Sequence, residues 1–86
     1  MMGTRSTVRI NAKAILDHLE DAVRRKAPCE IEGHRAVFRL VSQDGDREKV
    51  FAAANDNVHI VIVRKGSDLR ADILVGPKRD FPEYNL

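Results

Sequence analysis

From Thr7 to Ile10 the chain alternates, with Val8 and Ile10 pointing one way and Thr7 and Arg9 the other. Period two over a short stretch is the mark of a strand with one buried face, here within residues 6–10. The period then lengthens. In "AKAILDHLEDAVRRKA", Ala12, Ile15, Leu16, Leu19, Ala22 and Val23 fall on one helical stripe, and Asn11 precedes it with an N-capping side chain. Asp17, Glu20 and Asp21 lie before Arg24, Arg25 and Lys26, the order the helix dipole favours. Pro28 stops the element, so a helix over about 12–26 is expected.

"CEIEGHRAVFRLVSQ" reads as a strand, a tight turn at Glu32-Gly33 and a returning strand over 34–41. Its inward set is Ala36, Phe38 and Leu40; its outward set is Arg35, Val37, Arg39 and Val41. Two readings compete over residues 46–54. Asp44-Gly45 signals a hairpin turn, which makes "REKVFAAA" a strand. Arg47, Glu48, Lys49 and three alanines are helix formers, and Val50, Phe51 and Ala54 share a helical face. The helix is preferred.

"NVHIVIVRKGSDLRADILVGP" is a second hairpin turning at Gly66-Ser67. Val58, Ile60 and Ile62 line one side of its first strand and Val61 and Val63 the other, so that strand is central and covered on both faces. Leu69, Ala71, Ile73 and Val75 face the core on the return. The fold class is therefore α+β: one antiparallel sheet of about five strands with helix 12–26 on one face, in the order β-α-β-β-(α)-β-β, a layout like the split βαβ of ferredoxin-like domains. Residues 1–76 form a single domain, and 77–86, with two prolines, an extended C-terminal arm.

Composition narrows the class. With 43% hydrophobic and 33% charged residues among 86, the chain is that of a small folded domain, and its apolar runs are too short to span a bilayer. "MMGTRST" has no apolar segment behind its arginine, so no signal peptide is expected. A single cysteine, Cys29, allows no internal disulfide and favours a cytoplasmic setting. Net charge is only +2, and its distribution is uneven: six basic and three acidic residues in 1–26, four and six in 27–57, five and four in 58–86. Such mild basicity permits a polyanionic partner without demanding one.

The candidate chemistry lies in the arginines. If strands near 7–10, 34–41 and 69–75 turn their apolar sets to the helix, Arg9, Arg35, Arg39 and Arg70 emerge on the opposite face, joined by Lys65. Guanidinium groups among valines suit phosphates or carboxylates, hence DNA, RNA or an acidic protein surface; alternatively their stems simply lie over the valines in water. In the tail, Phe81 and Tyr84 either dock on a partner or fold back onto the chain's own sheet, the latter being favoured for so small a core. Cys29 and His34 make a Cys-x4-His spacing that falls short of a zinc site, and neither a phosphate loop nor an acid/base pair stands out. No cofactor, no metal and no catalytic residue are expected.

The stretch "VRINAKAILDHLEDAVRRKAPCEIEGHRAVFRLVS", within residues 8–54, resembles the Phd/YefM family of toxin-neutralising antitoxins in its short strand, amphipathic helix, hairpin and closing strand. Glu30, Ile31, Gly33, Ala36, Val37 and Val41 fall where that pattern places hairpin and core, and no functional residue transfers. The resemblance implies a cytoplasmic dimer that binds operator DNA and offers its C-terminal segment to a toxin. "GHRAVFRLV" and "LVGPKRDFPEY" also echo RelE-like ribonuclease toxins, a likeness that makes Arg39, Lys78, Arg79 and Tyr84 the candidates for RNA cleavage. The expectation is a small non-enzymatic binding or regulatory protein of antitoxin, phage-regulator or defence-inhibitor type, with a homodimer possible. The partner-binding candidates are Arg9, Arg35, Arg39, Lys65, Arg70, Phe81 and Tyr84. The alternatives are a small ribonuclease or a structural subunit of a larger assembly.

Overall fold

The structure is a computed structural model that describes residues 4–10, 12–55, 58–66 and 68–81. Asn11, Ser67, Tyr84 and Leu86 lie outside the described residues. In chain order the elements are β1 (Thr4–Ile10), α1 (Ala12–Arg25), β2 (Pro28–Ile31), β3 (His34–Val37), β4 (Arg39–Asp44), β5 (Glu48–Asn55), β6 (Val58–Lys65) and β7 (Asp68–Val75), followed by a 3-10 turn at Lys78–Asp80. Five strands form one sheet in the order β1-β7-β6-β5-β4, and β2 and β3 form a separate two-stranded ribbon.

The α+β class and the antiparallel five-stranded sheet agree with the sequence pattern. The detailed layout differs. A ferredoxin-like sheet needs parallel neighbours joined through helices. Here every described pairing is antiparallel, and β1 lies beside β7 rather than between strands of the first half. The sheet is a β4-β5-β6-β7 meander closed on one side by the N-terminal strand.

Residues 48–55 are the first correction: they are strand β5, not a helix. Gly45, at φ +55, supplies the left-handed residue of the turn, and the Arg47 N–H donates to the Asp44 carbonyl at 3.0 Å. β5 then pairs with β4 on one side and β6 on the other, so its backbone groups are satisfied by both ladders. That gain overrides the modest helix preference of its alanines. Ala52 and Ala53 are both buried, one on each side of the sheet.

The second correction concerns residues 34–41, which are not one strand. The chain leaves the β2–β3 ribbon at Val37, buries Phe38 in the core, and enters the main sheet at Arg39. Phe38 keeps the parity of Ala36 but belongs to neither ladder, and the ribbon and the sheet pair with different partners; the register of β4 shifts at a bulge between Leu40 and Ser42.

Helix α1 ends by a local mechanism. Lys26 adopts φ +56, its N–H donates to the Val23 carbonyl at 3.2 Å, and the Ala27 N–H donates to the Ala22 carbonyl at 2.9 Å. This is a Schellman closure with lysine in the usual glycine place. The helix drives Leu19 and Ala22 against Phe51, Ile60, Ile62, Ala71 and Ile73 of the sheet and Cys29 and Ile31 of the ribbon. Lys49 Nζ, reaching from β5, meets Glu20 Oε1 at 2.8 Å and pins the helix over the sheet.

In the β2–β3 turn Glu32 has φ +51 and Gly33 φ +80, so both central residues are left-handed, as a two-residue type I′ hairpin requires. Glutamate carries a side-chain cost there that asparagine largely escapes. Glu32→Asn should stabilise the protein by about 0.5–1 kcal/mol, read as a raised urea midpoint at unchanged slope. An unchanged or lowered midpoint would rule out that turn geometry.

Candidate polyanion-binding face

The face of the sheet turned away from α1 can be read row by row, because residues directly opposite in an antiparallel ladder share a side. One row runs Arg5, Leu74, His59, Ala54. The next runs Thr7, Asp72, Val61, Ala52, Arg39, and the third Arg9, Arg70, Val63, Val50, Ser42. The centre is apolar and the edges are cationic.

The chain itself covers the centre. Beyond Gly76 it turns through Lys78–Asp80 and lays Phe81 over Val61 and Leu74, with Val50 and Val63 at the margin. Phe81 is 5% exposed, and its ring meets His59 edge-on, with centroids 6.4 Å apart and planes at 69°. His59 is itself buried, and neither ring nitrogen has a hydrogen-bond partner among the described residues. Of the two alternatives for this aromatic, the structure has the one in which it packs on its own sheet.

At the β1–β7 edge three arginines surround one buried carboxylate. Asp72 accepts a hydrogen bond from the Thr7 hydroxyl at 2.8 Å, and Arg70 Nε lies 3.7 Å from Asp72 Oδ1. Arg9 stands directly opposite Arg70, and among the described residues it has no ion pair or hydrogen bond. Two like charges facing each other across a ladder destabilise it, so this juxtaposition is held by the fold at some cost. Arg5, one pair further along, belongs to the same side and was missed by the alternation because the strand begins at polar Thr4.

Of the residues singled out from the sequence, Arg9, Arg39, Lys65 and Arg70 come out on this one face, with Arg39 at the β4 edge. Arg35 does not. It sits opposite Glu30 on the ribbon's exposed side, so Arg35 and Arg39 belong to different sheets. Acidic residues concentrate at one end of the face. Lys65 lies opposite Asp68 and 3.8 Å from Glu48 Oε2, beside Asp44.

The two helix arginines are paired locally. Arg24 and Arg25 on α1 both reach Asp21, at 2.6 and 3.1 Å. The Arg24 hydrogen bond and the nearby Arg25 charge hold the Asp21 carboxyl below its ordinary range. Cys29 faces the core, where burial pushes its thiol up, and no three His, Cys, Asp or Glu side chains assemble a metal-holding group among the described residues. No described helix is long and apolar enough to cross a membrane.

Comparison with known proteins finds no matching family model, no similar curated sequence and no similar solved structure. The site therefore has to be read from its own geometry.

If Phe81 is the cover of the helix-free face, Phe81→Ala exposes Val61 and Leu74 and should cost about 3 kcal/mol in urea unfolding, with Phe81→Leu recovering roughly half. A loss within about 0.5 kcal/mol of zero would mean that the ring covers nothing of consequence.

Proposed function

We propose that this chain is a non-enzymatic binding protein that grips a nucleic-acid strand with the helix-free face of its sheet, acting by occluding or recruiting that strand. Regulators of the antitoxin, phage or defence-inhibitor type work in this way. The observation that carries the reading is the arginine cluster of Arg5, Arg9 and Arg70 around the buried carboxylate of Asp72, on the same face as Arg39.

Two features favour an extended polyanion over a small ligand. Arg39 is separated from the β1 edge by four strand spacings, about 19 Å at the usual interval. That distance covers several phosphates of one strand. Guanidinium groups bind phosphate oxygens bidentately, whereas isolated lysines act as point charges.

The same geometry sets the character of the binding. Sheet-based readers of single strands stack bases on exposed aromatics. Here the one aromatic on the face, among the described residues, is buried against the chain's own valines. Contact then falls on phosphates rather than bases. The expected behaviour is tolerance of sequence and strong dependence on salt.

The test is fluorescence anisotropy with a labelled oligonucleotide of mixed sequence, in single- and double-stranded form. Affinity should fall with salt at a logarithmic slope of about −0.7 per phosphate contacted on a single strand. Arg9→Ala, Arg39→Ala and Arg70→Ala should each weaken binding uniformly across sequences and shallow that slope by about one contact. Retained circular dichroism would show that the fold survives. Salt-insensitive binding, or affinity unchanged in all three variants, would dispose of the proposal. Capture of an acidic protein with no oligonucleotide affinity would replace nucleic acid by protein as the partner.

A further inference from the structure

The corner where β1 ends and the β6–β7 turn begins holds a depression of about 240 Å³, lined by Arg9, Ile10, Val63, Lys65, Asp68, Leu69 and Arg70. Three cations and one carboxylate line it, and two further carboxylates, Glu48 and Asp72, stand 3.8 and 3.7 Å from Lys65 and Arg70, which leaves Arg9 as the cation without a counter-charge among the described residues. Their sources are three adjacent strands, so the sheet itself fixes the spacing of their backbones.

The arrangement leaves donors to spare. Arg70 approaches Asp72 through Nε at 3.7 Å, and no other partner of its guanidinium occurs among the described residues, so its terminal nitrogens remain for a ligand. Arg9 has no partner at all among the described residues, and Lys65 has only a 3.8 Å approach to Glu48. Two guanidiniums placed opposite each other repel unless an anion bridges them. Ile10, Val63 and Leu69 add an apolar wall beside the charges.

We infer that this pocket receives a phosphomonoester, the phosphorylated end of a nucleic-acid strand that runs onto the sheet face; the inference rests on the nucleic-acid reading above. The number of acceptor oxygens selects the monoester. A terminal phosphate carries about −1.5 to −2 near neutral pH and offers three acceptor oxygens. Three oxygens match the three cationic donor groups Arg9, Lys65 and Arg70, whereas an internal diester has only two free oxygens. Volume agrees, because the depression is larger than a phosphate group needs, and its apolar wall suits the attached sugar. A carboxylate of an acidic peptide brings one charge and two oxygens, leaving one cation unanswered.

The experiment compares oligonucleotides of one sequence bearing a 5′-phosphate, a 3′-phosphate or hydroxyls at both ends, with a mononucleoside monophosphate and an acidic peptide as further probes. Binding is read by anisotropy and by amide shifts of Arg9, Val63 and Arg70. One phosphorylated end should bind at least about tenfold more tightly than the hydroxyl form. Arg9→Gln should remove most of that advantage, and Arg9→Gln with Arg70→Gln all of it. Because Arg9 makes no bond among the described residues, its replacement leaves the fold intact. A mononucleotide that shifts the same amides with equal affinity would overturn the strand end as the ligand in favour of a free nucleotide. Equal affinity for phosphorylated and hydroxyl ends, with both still sensitive to Arg39→Ala, overturns the pocket while the nucleic-acid reading stands. No binding by any oligonucleotide overturns both, as does preference for the acidic peptide.

Discussion

Strand β6 has to be covered on both of its sides, and the chain has one described helix with which to do it. Ile60 and Ile62 face α1, while His59 and Val61 face the other way, and all four are buried. A domain of this size cannot leave the second side to water without forfeiting much of its small core. The segment after β7 resolves the difficulty by turning back at Gly76-Pro77 and placing Phe81 on Val61 and Leu74. Full burial of such a ring is worth about 3 kcal/mol at most, a large share of the stability of a small domain. Among the described residues, the helix on one side and the Phe81 ring on the other are what cover the five strands.

That cover is narrow, and its narrowness shapes the chemistry. Among the described residues one ring shields the centre, and the flanks of the face carry charge. Arg5, Arg9 and Arg70 occupy one edge and Arg39 the other. Asp72 is buried between the Thr7 hydroxyl and Arg70, which anchors the arginine edge to the sheet. On such a face the described aromatic is buried against valines while the cations stay at the edges.

Much of this was legible in the residues. The alternation of Val8 and Ile10, the stripe from Ile15 to Val23 and the two-sided run at 58–63 fixed β1, α1 and β6, because each has one period and local neighbours. The same alternation put Arg9, Lys65 and Arg70 on one side. What failed were the places where tertiary context decides. Residues 48–55 carry helix-forming alanines, yet a strand with partners on both sides outweighs their preference. The chain passes from the ribbon to the main sheet at Phe38 with no glycine or proline to announce it, which leaves Arg35 on the ribbon and off the face. The pairing of β1 with β7 spans nearly the whole chain, and no local pattern encodes it.

The most direct test is arginine-selective modification with phenylglyoxal, mapped by mass spectrometry with and without a saturating single-stranded oligonucleotide. The account requires Arg9, Arg39 and Arg70 to be protected together, while Arg24 and Arg25 on the helix and Arg35 on the ribbon react as before. Protection centred on Arg24, Arg25 and Arg35, or no change at any arginine, would contradict it.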